Sequence, residues 1–232
     1  MNIDDIKRKI KKVGDPEVAA VSRRFFKTGR GEYGEGETFA GIRVPVLRSL
    51  AKELGAVDLS VVWELLESGI HEERLLALLL LIAKFDRADE AGRKAICLRY
   101  LKKTKYINNW DLVDCSAEHI AGRYLLDKDK GMLYKLAQSD NIWERRIAIM
   151  STFHYIKQGL FDDALGIAAL LLNDKQDLIH KAVGWMLREI GKRNIAVEKK
   201  FLNAYQALMP RTMLRYAIER FPETERKKYL RK

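Results

Sequence analysis

The sequence contains few cysteines and prolines and no long hydrophobic run. Its two cysteines, Cys97 and Cys115, cannot build a disulfide framework and are typical of a protein in a reducing compartment. The longest apolar run, residues 75–83, is much shorter than the ~20 residues of a membrane-spanning helix. The N-terminal residues lack the basic and then apolar pattern of a secretion signal. These absences exclude secreted disulfide-rich proteins and membrane proteins, and they predict a cytoplasmic protein without a membrane partner.

Acidic residues are outnumbered by basic ones. The chain has 43 Lys and Arg against 32 Asp and Glu, which gives a net charge of +11 and a pI of about 9.5. Most of this excess lies in residues 175–232. A basic region of this kind favours polyanionic partners such as nucleic acid. A surface whose charge only keeps the protein in solution is the alternative.

Helical periodicity dominates the sequence, and convincing alternating strands are absent, so we predict an all-α protein. Short capped turns separate the helices and no Ser/Pro-rich hinge divides the chain, which predicts one domain over residues 1–232. The predicted helices span residues 3–13, 16–26, 44–54, 59–67, 72–84, 88–103, 111–126, 131–137, 142–157, 162–172, 177–192, 197–208 and 212–220, followed by a basic tail.

The predicted helices repeat along the chain. Those that begin near Glu72, Trp110, Ile142 and Asp177 are spaced roughly 33 to 39 residues apart, with a second helix between each pair. This spacing is typical of an α-solenoid built from HEAT-like repeats, whose concave face is the usual binding surface. An irregular helical bundle is the alternative.

One long irregular stretch, residues 27–43, is rich in glycine. Residues 29–34 match the Gly-x-Gly-x-x-Gly pattern of dinucleotide-binding proteins. That site needs a strand before the glycines and a helix directly after them, whereas here a helix precedes the stretch and no helix follows at once. Three glutamates, Glu32, Glu35 and Glu37, would also repel phosphate. We therefore interpret the stretch as a mobile loop or hairpin insertion and predict no cofactor.

Metal ligands and activated nucleophiles are not evident in the sequence. The histidines are scattered without the spacing of a ligand set, so we predict no metal site. They are His71, His119, His154 and His180. Cys115 has no cationic neighbour in the sequence, and we interpret it as a core thiol.

The predicted helix over residues 177–192 has two different faces. Its apolar stripe consists of Ile179, Val183, Met186 and Ile190. About 200° around the helix lies a second stripe, which consists of Lys181, Trp185, Arg188 and Lys192. A tryptophan among cations on the side away from the core is typical of a surface that binds nucleic-acid backbone and sugar. The alternatives are a cation–π contact with the neighbouring cations, or packing of Trp185 against an adjacent repeat.

The helix that begins near Trp110 carries an aromatic residue and a carboxylate on one side. Trp110 and Asp114 are four residues apart, at the edge of the apolar stripe. Asp111 lies in the first turn and is predicted to be a cap residue. Asp114 has no such role, and a desolvated carboxylate beside an aromatic ring could stabilise a developing cation. An ordinary surface aspartate is the alternative.

Two further tryptophans, Trp63 and Trp143, have apolar neighbours at helical spacing and are predicted to be core residues. Arg145 and Arg146 follow Trp143 and point about 100° apart, so at least one of them should face away from the core. A phosphate contact is one role for that arginine, and an ordinary solvated side chain is the other.

Three blocks of the sequence together resemble the AlkD-like DNA alkylation repair family. They are Trp-Asp-Leu-Val-Asp at 110–114, Ser-Asp-Asn-Ile-Trp-Glu-Arg-Arg at 139–146, and Lys-Ala-Val-Gly-Trp-Met-Leu-Arg-Glu at 181–189. The order and spacing of the blocks carry the resemblance, which covers residues 20 to 221 or so. It implies an all-α solenoid of HEAT-like repeats that holds duplex DNA in a concave basic groove.

The resemblance also implies an activity. It is the hydrolysis of the N-glycosidic bond of cationic alkylpurines, such as 3-methyladenine and 7-methylguanine, in duplex DNA. Asp114 matches the catalytic aspartate of the family, Trp110 and Trp185 match the two tryptophans that flank the lesion's deoxyribose, and Arg146 matches a DNA-contacting arginine. We expect Lys181, Arg188 and Lys192 to contribute to DNA binding, with no metal, cofactor or obligate protein partner and with a monomer as the default state.

The glycine-rich loop departs from this pattern and leaves two other hypotheses open. It looks like an insertion and resembles a different branch of the family, and some members of the wider family bind DNA, including branched DNA, without detectable glycosylase activity. A non-catalytic protein that binds DNA structures is therefore the first alternative. A solenoid whose basic face binds acidic protein partners is the second.

Overall fold

The computed structural model describes residues 1–231 and is built from helices. Within this range there is no strand, and an isolated parallel bridge joins Thr38 to Ile70. None of the described helices is long and apolar enough to cross a membrane. The chain divides into two compact units after Ser116, and each is described by itself. The all-α prediction is confirmed, whereas the single domain over residues 1–232 and the concave basic groove stay predictions.

The first unit, Met1–Ser116, contains α1 to α7. Its helices are α1 (Ile3–Val13), α2 (Pro16–Phe25), α3 (Val44–Glu53), α4 (Leu59–Leu66), α5 (His71–Arg87), α6 (Glu90–Lys102) and α7 (Trp110–Ser116), with a 3-10 helix at Thr104–Tyr106. Polar side chains cap the first two of them. Asn2 and Asp5 form a reciprocal capping box on α1, and Asp15 accepts hydrogen bonds from two main-chain N–H groups of α2.

The core of the first unit surrounds α5. This helix packs against α3, α4, α6 and α7, and Leu76, Leu78, Leu80 and Leu81 on it are fully buried. A helix that is apolar on all sides must lie inside its unit, which explains the continuous leucine run in the sequence. Because α5 begins at His71 and packs on α7, its polar first turn lies beside the first turn of α7.

The second unit runs from Ala117 to the last described residue and contains α8 to α16. Its helices are α8 (Arg123–Leu125), α9 (Gly131–Leu136), α10 (Ile142–Ser151), α11 (Phe153–Lys157), α12 (Asp162–Leu170), α13 (Asp177–Gly191), α14 (Ile195–Tyr205), α15 (Arg211–Ala217) and α16 (Glu223–Leu230), with a π-helical segment at Glu118–Gly122 and a 3-10 helix at Ile218–Arg220.

The central helix of the second unit is α13, which packs against α10, α14 and α15. Its predicted apolar stripe is buried. The crossing with α15 is so close that a Cβ atom added at Gly184 would lie 2.5 Å from the Met213 carbonyl oxygen and 2.5 Å from Tyr216 Cβ. Glycine at this position therefore sets how near the two helices approach.

The structure differs from the predicted helices in three places. The helix predicted over residues 111–126 contains a π-helical segment, in which the Gly122 N–H donates to the Ala117 carbonyl. The helix predicted over residues 142–157 breaks at Thr152. The basic tail, for which no helix was predicted, contains α16, which has no buried residue and therefore lacks the apolar period that would have revealed it.

Candidate functional site

Trp110 opens α7 and lies at the end of a row of aromatic rings. Its indole stacks on Phe26, with ring centroids 5.4 Å apart, and Phe26 stacks on Phe39 at 5.1 Å. Phe25 meets Trp110 edge-on at 5.8 Å and is 63% exposed. Because Trp110 itself is half-buried, one side of the indole is fixed by the stack while the ring remains at the surface of the unit.

His71 lies under this row and connects two carboxylates. Its ring is buried, with Nδ1 2.9 Å from a Glu37 oxygen and Nε2 2.8 Å from an Asp111 oxygen. Burial opposes the charged ring, but the hydrogen bonds to Asp111 and Glu37 outweigh it and raise the pKa of His71 to about 9. At neutral pH the ring is therefore an imidazolium that donates to both carboxylates.

Glu37 anchors the glycine-rich loop to the body of the first unit. Arg74 Nη2 lies 2.6 Å from both carboxylate oxygens, and Asn108 donates to one of them at 3.0 Å. Burial would raise the pKa of Glu37, but His71 and Arg74 lower it below its ordinary value. The prediction treated Glu37 as one of three loop acids that repel phosphate. In the structure its side chain is buried and paired.

The first turn of α7 carries Asp111 and is followed by Asp114, and the role predicted for Asp111 is wrong. The Asp111 carboxylate bonds to His71, and the oxygen that accepts the Trp110 N–H belongs to Asn109, so Asp111 is not the cap. Asp114 follows one turn after Trp110 and is half-buried. Burial, with the charges of Asp111 and Asp114, raises the pKa of the Cys115 thiol far above its ordinary value, so this half-buried cysteine is not a nucleophile.

In the second unit, Trp185 is half-buried on α13, on the side predicted for it. Its ring tilts against Phe153 of α11 at a centroid distance of 5.8 Å, and its Nε1 donates to Glu189 at 3.3 Å. The alternative in which Trp185 packs against a neighbouring helix is thus part of the observed arrangement. Glu189 is buried, which would raise the pKa of its carboxyl group, but Lys192 and Arg193 lower that pKa below its ordinary value.

The cations of the predicted basic stripe are paired with acids. The three pairs are Lys181 with Asp177 at 2.7 Å, Arg188 with Glu219, and Lys192 with Glu189 at 2.5 Å. Lys181 and Lys192 keep about two fifths of their side chains exposed. A phosphate that bound to one of these cations would have to displace the carboxylate already paired with it. The affinity of the stripe for phosphate is therefore lower than its sequence suggests.

Arg145 and Arg146 are both engaged within the second unit. Arg146 is 5% exposed and donates to the Leu178 carbonyl, and Arg145 pairs with Asp174 at 2.6 Å. At least one of the two was expected to face away from the core; Arg145 is half-buried and bonded to Asp174 instead of being simply solvated. A DNA contact by Arg146 stays a prediction. Trp63 and Trp143 are buried, as predicted.

A comparison with protein-family models decides the relationship. The model described as DNA alkylation repair enzyme matches residues 6–221. The chain belongs to the DNA alkylation repair enzyme family. Membership of this family supports a role in DNA repair and an interaction with DNA.

Solved structures share the fold of this chain. A predicted DNA alkylation repair enzyme from Enterococcus faecalis is 18% identical, with a TM-score of 0.69 over 90% of this chain and 97% of that chain. AlkD2 from Streptococcus mutans is 16% identical, with a TM-score of 0.57 over 89% and 98%. The smu.31 protein from Streptococcus mutans UA159 is 17% identical, with a TM-score of 0.56 over 92% and 100%. At these identities the likeness shows the AlkD-like helical-repeat fold. No curated protein matches the sequence.

The predicted site residues fall into two groups. Trp110 and Asp114 lie one turn apart in the first unit. The second unit holds Arg146, Lys181, Trp185, Arg188 and Lys192. Sequence analysis missed the residues that hold these groups in place, which are Phe26, Glu37, His71, Arg74, Phe153 and Glu189. Among residues 1–231, no group of three or more His, Cys, Asp or Glu side chains could hold a metal ion.

Proposed function

We propose that this family member is a DNA N-glycosylase that releases cationic alkylpurines, such as 3-methyladenine and 7-methylguanine, from duplex DNA. The observation that carries the proposal is Asp114, a half-buried carboxylate one turn from the stacked Trp110 in a chain of the DNA alkylation repair enzyme family. The same Trp110–Asp114 pair follows from the sequence resemblance.

The chemistry needs one carboxylate. Alkylation at N3 or N7 makes the purine cationic, so the C1′–N bond can break with its electrons returning to the base, and no general acid is required. The sugar becomes oxocarbenium-like, and the Asp114 carboxylate stabilises this charge electrostatically. Water then bonds to C1′, and its proton passes to solvent by way of the carboxylate that orients it. Trp110, one turn from Asp114, offers a ring face to the sugar.

The surroundings of Asp114 support this role. The imidazolium of His71 and the aromatic row fix the first turn of α7, so the carboxylate is carried by a rigid element. Asp111, whose charge would otherwise compete with that of Asp114, is bonded to His71. We assign Asp114 to the substrate because it matches the catalytic aspartate of the family.

The test measures base release and DNA binding on one duplex that contains a single 7-methylguanine. Asp114→Asn should lower base release by at least about 100-fold, a typical loss for one electrostatic catalytic group. Binding should be kept or strengthened, because a negative charge is removed. Asp58→Asn, which removes an exposed acid of the same unit, is the matched control and should release base at the wild-type rate. Equal rates for Asp114→Asn and wild type would refute the assignment.

A non-catalytic protein that binds branched or damaged DNA is the second candidate. The observation that favours it is the glycine-rich loop, which resembles a different branch of the family and is held at the first turn of α7 through Glu37 and His71. This candidate requires that wild-type protein release no base from the alkylated duplex while it binds junctions in a salt-dependent way. Release by the wild type that Asp114→Asn abolishes would eliminate it.

A further inference from the structure

A pocket of about 380 Å³ lies in the second unit at the C-terminal end of α13, and it shares Arg188 and Lys192 with the predicted basic stripe. It is bounded by the C-terminal end of α13, the first turns of α14 and α16, and the 3-10 helix between α15 and α16. The charged residues that line it are Arg188, Lys192, Glu198, Lys199, Arg220 and Glu225. Ile195 and Pro222 place the beginnings of α14 and α16 in its wall.

A buried carboxyl group forms part of this wall. Glu198 is 1% exposed, and its Oε1 atom has no hydrogen-bond partner among the described residues. The carboxyl lies directly over Gly191, where any Cβ atom would overlap with it, so the glycine makes the space that it occupies. Burial raises the pKa of Glu198 to about 8. At neutral pH the group is therefore an uncharged acid, which can donate as well as accept a hydrogen bond.

A buried donor without a partner lines the same pocket. The Nε atom of Arg188 is buried and makes no hydrogen bond within residues 1–231, although the far end of the guanidinium pairs with Glu219. Buried polar atoms in folded proteins nearly always have a partner. An unsatisfied N–H and an unsatisfied carboxyl in one cavity therefore point to a bound group that has oxygen acceptors and room to contact both.

The charge of the pocket indicates the sign of that group. Four cations line it, and with Glu198 neutral the acid they face in the wall is Glu225, which pairs with Lys199 at 2.8 Å. Two outer acids, Glu189 and Glu219, still leave the surroundings net positive. The two helix N-termini in the wall add partial positive charge. The pocket is therefore suited to a compact anion.

We propose that this pocket binds a phosphate group, either as free inorganic phosphate or as the terminal phosphate of a DNA strand. A tetrahedral phosphate offers several acceptor oxygens, which suit Arg188 Nε, the rim cations Lys199 and Arg220, and the neutral carboxyl of Glu198. The site does not depend on the proposed glycosylase activity, since none of its contacts involves Asp114 or the two indoles.

In the first experiment, the full chain is titrated with inorganic phosphate up to about 10 mM at about pH 7, and calorimetry measures the heat of binding. We expect saturable binding with one site per chain. Arg220→Gln should weaken it roughly fivefold or more, since a rim cation is lost. Lys175→Gln, an exposed cation of the same unit outside the pocket, is the matched control and should bind as the wild type does. No saturable binding, or an equal loss in both variants, would overturn the proposal.

The second experiment uses Glu198→Gln, which keeps the shape of the side chain and cannot ionise. The other groups around Glu198 that carry charge or titrate are Arg188, Lys192, Lys199, Arg220, Glu225 and Tyr229. From about pH 7 to about pH 9 the wild type should lose roughly tenfold in phosphate affinity, because Glu198 becomes an anion. The variant should lose much less. The titration of phosphate itself is common to both proteins, so parallel losses would contradict the assigned role of Glu198.

The third experiment distinguishes the two sources of phosphate. Short duplexes with 5′-phosphate or 5′-hydroxyl ends compete against inorganic phosphate for the wild type and for Arg220→Gln. Competition by the phosphorylated duplex alone, lost in the variant, supports a strand end as the ligand. No competition by either duplex, with phosphate binding intact, supports a small phosphate compound, whereas equal competition by both would overturn the strand-end assignment because internal backbone phosphates would then reach the pocket. Base release by the same proteins is measured in parallel, so failure of the glycosylase proposal is recorded separately.

Discussion

Replacing His71 with glutamine removes the charged centre of the network that joins the loop to α7. The ring donates to Glu37 at 2.9 Å and to Asp111 at 2.8 Å, and these bonds raise its pKa from about 6.5 to about 9. Each pKa unit corresponds to about 1.4 kcal/mol, so protonated His71 contributes about 3 kcal/mol to the free energy of unfolding.

The sign of the pH dependence follows from the direction of this shift. A group whose folded pKa is raised stabilises the protein fully below its unfolded pKa, here about 6.5, and this stabilisation is lost as the pH rises through about 9. The lowered pKa of Glu37 acts at the acidic end, where stability is lost as the pH falls through its folded pKa. Between about pH 6 and pH 9.5, Glu37 stays ionised, so the change in the network's contribution to the unfolding free energy comes from His71.

The assay is urea unfolding followed by circular dichroism, at several pH values from about 6 to 9.5, for wild type and His71→Gln. The difference in unfolding free energy should be about 3 kcal/mol or more at the acidic end and should shrink towards the alkaline end. Other groups that titrate in this range are present in both proteins and cancel in the difference. NMR titration of the ring should give a midpoint near 9 for His71.

A matched control is His119→Gln, which replaces a half-buried histidine of the second unit and should not reproduce this pH dependence. Parallel stability curves for wild type and His71→Gln across the whole range would refute the reasoning. So would a ring that titrates near its ordinary value, because the two carboxylates would then not hold the proton.

Two further substitutions test the packing and anchoring of each unit. Gly184→Ala should destabilise the second unit by roughly 1–3 kcal/mol, since its Cβ would lie 2.5 Å from a main-chain oxygen of α15, whereas Gly69→Ala, which meets no atom, should be nearly neutral in urea unfolding. Glu72→Gln should cost roughly 2–4 kcal/mol, because the buried carboxylate accepts three main-chain N–H bonds from residues 40–42 and an amide nitrogen cannot accept them. Glu64→Gln on the exposed face of α4 is its control and should change the unfolding free energy by less than about 0.5 kcal/mol. If a variant and its control changed the unfolding free energy by the same amount, the contacts given for that variant would be contradicted.

Most of the fold could be predicted because its signals are local. Apolar period and cap residues lie within a few positions of each other, so the bounds of α1 and of the helix that carries Trp185 agree with prediction to within a residue. The π-helical segment was hidden because its apolar stripe continues through it. The change from i+4 to i+5 hydrogen bonding at Gly122 leaves no mark in the sequence.

The candidate site divides along the same line. Trp110 and Asp114 are neighbours on one helix, so their shared side follows from spacing alone. The bonds of His71 join residues 34 and 40 positions away, to Glu37 and Asp111, and no periodicity connects them. The available signal was a histidine at the start of a buried helix. This signal does not predict which residues the histidine bonds to.

The glutamates of the loop show how an exclusion can hide a structural role. In the sequence, three acids argue against a phosphate-binding loop. Glu32, however, accepts the Gly29 N–H at 2.8 Å and Glu35 accepts the Gly31 N–H at 2.8 Å. The acids therefore satisfy the main chain of a segment that has no helix or strand to do so. The acids that argue against a nucleotide site in this stretch are therefore the residues that stabilise its main chain.

The anchoring of Glu37 limits how this loop can act on DNA. To move as a free arm, the loop would have to withdraw a buried carboxylate from Arg74 and from the imidazolium of His71. Breaking a buried ion pair by removing one partner costs about 3–5 kcal/mol, and here two cations would lose their acid at once. Since the same His71 holds Asp111 at the start of α7, that movement would also remove one of the two carboxylates that fix this ring. The loop is therefore part of the support of Trp110, and any effect it has on substrate choice acts from this fixed position.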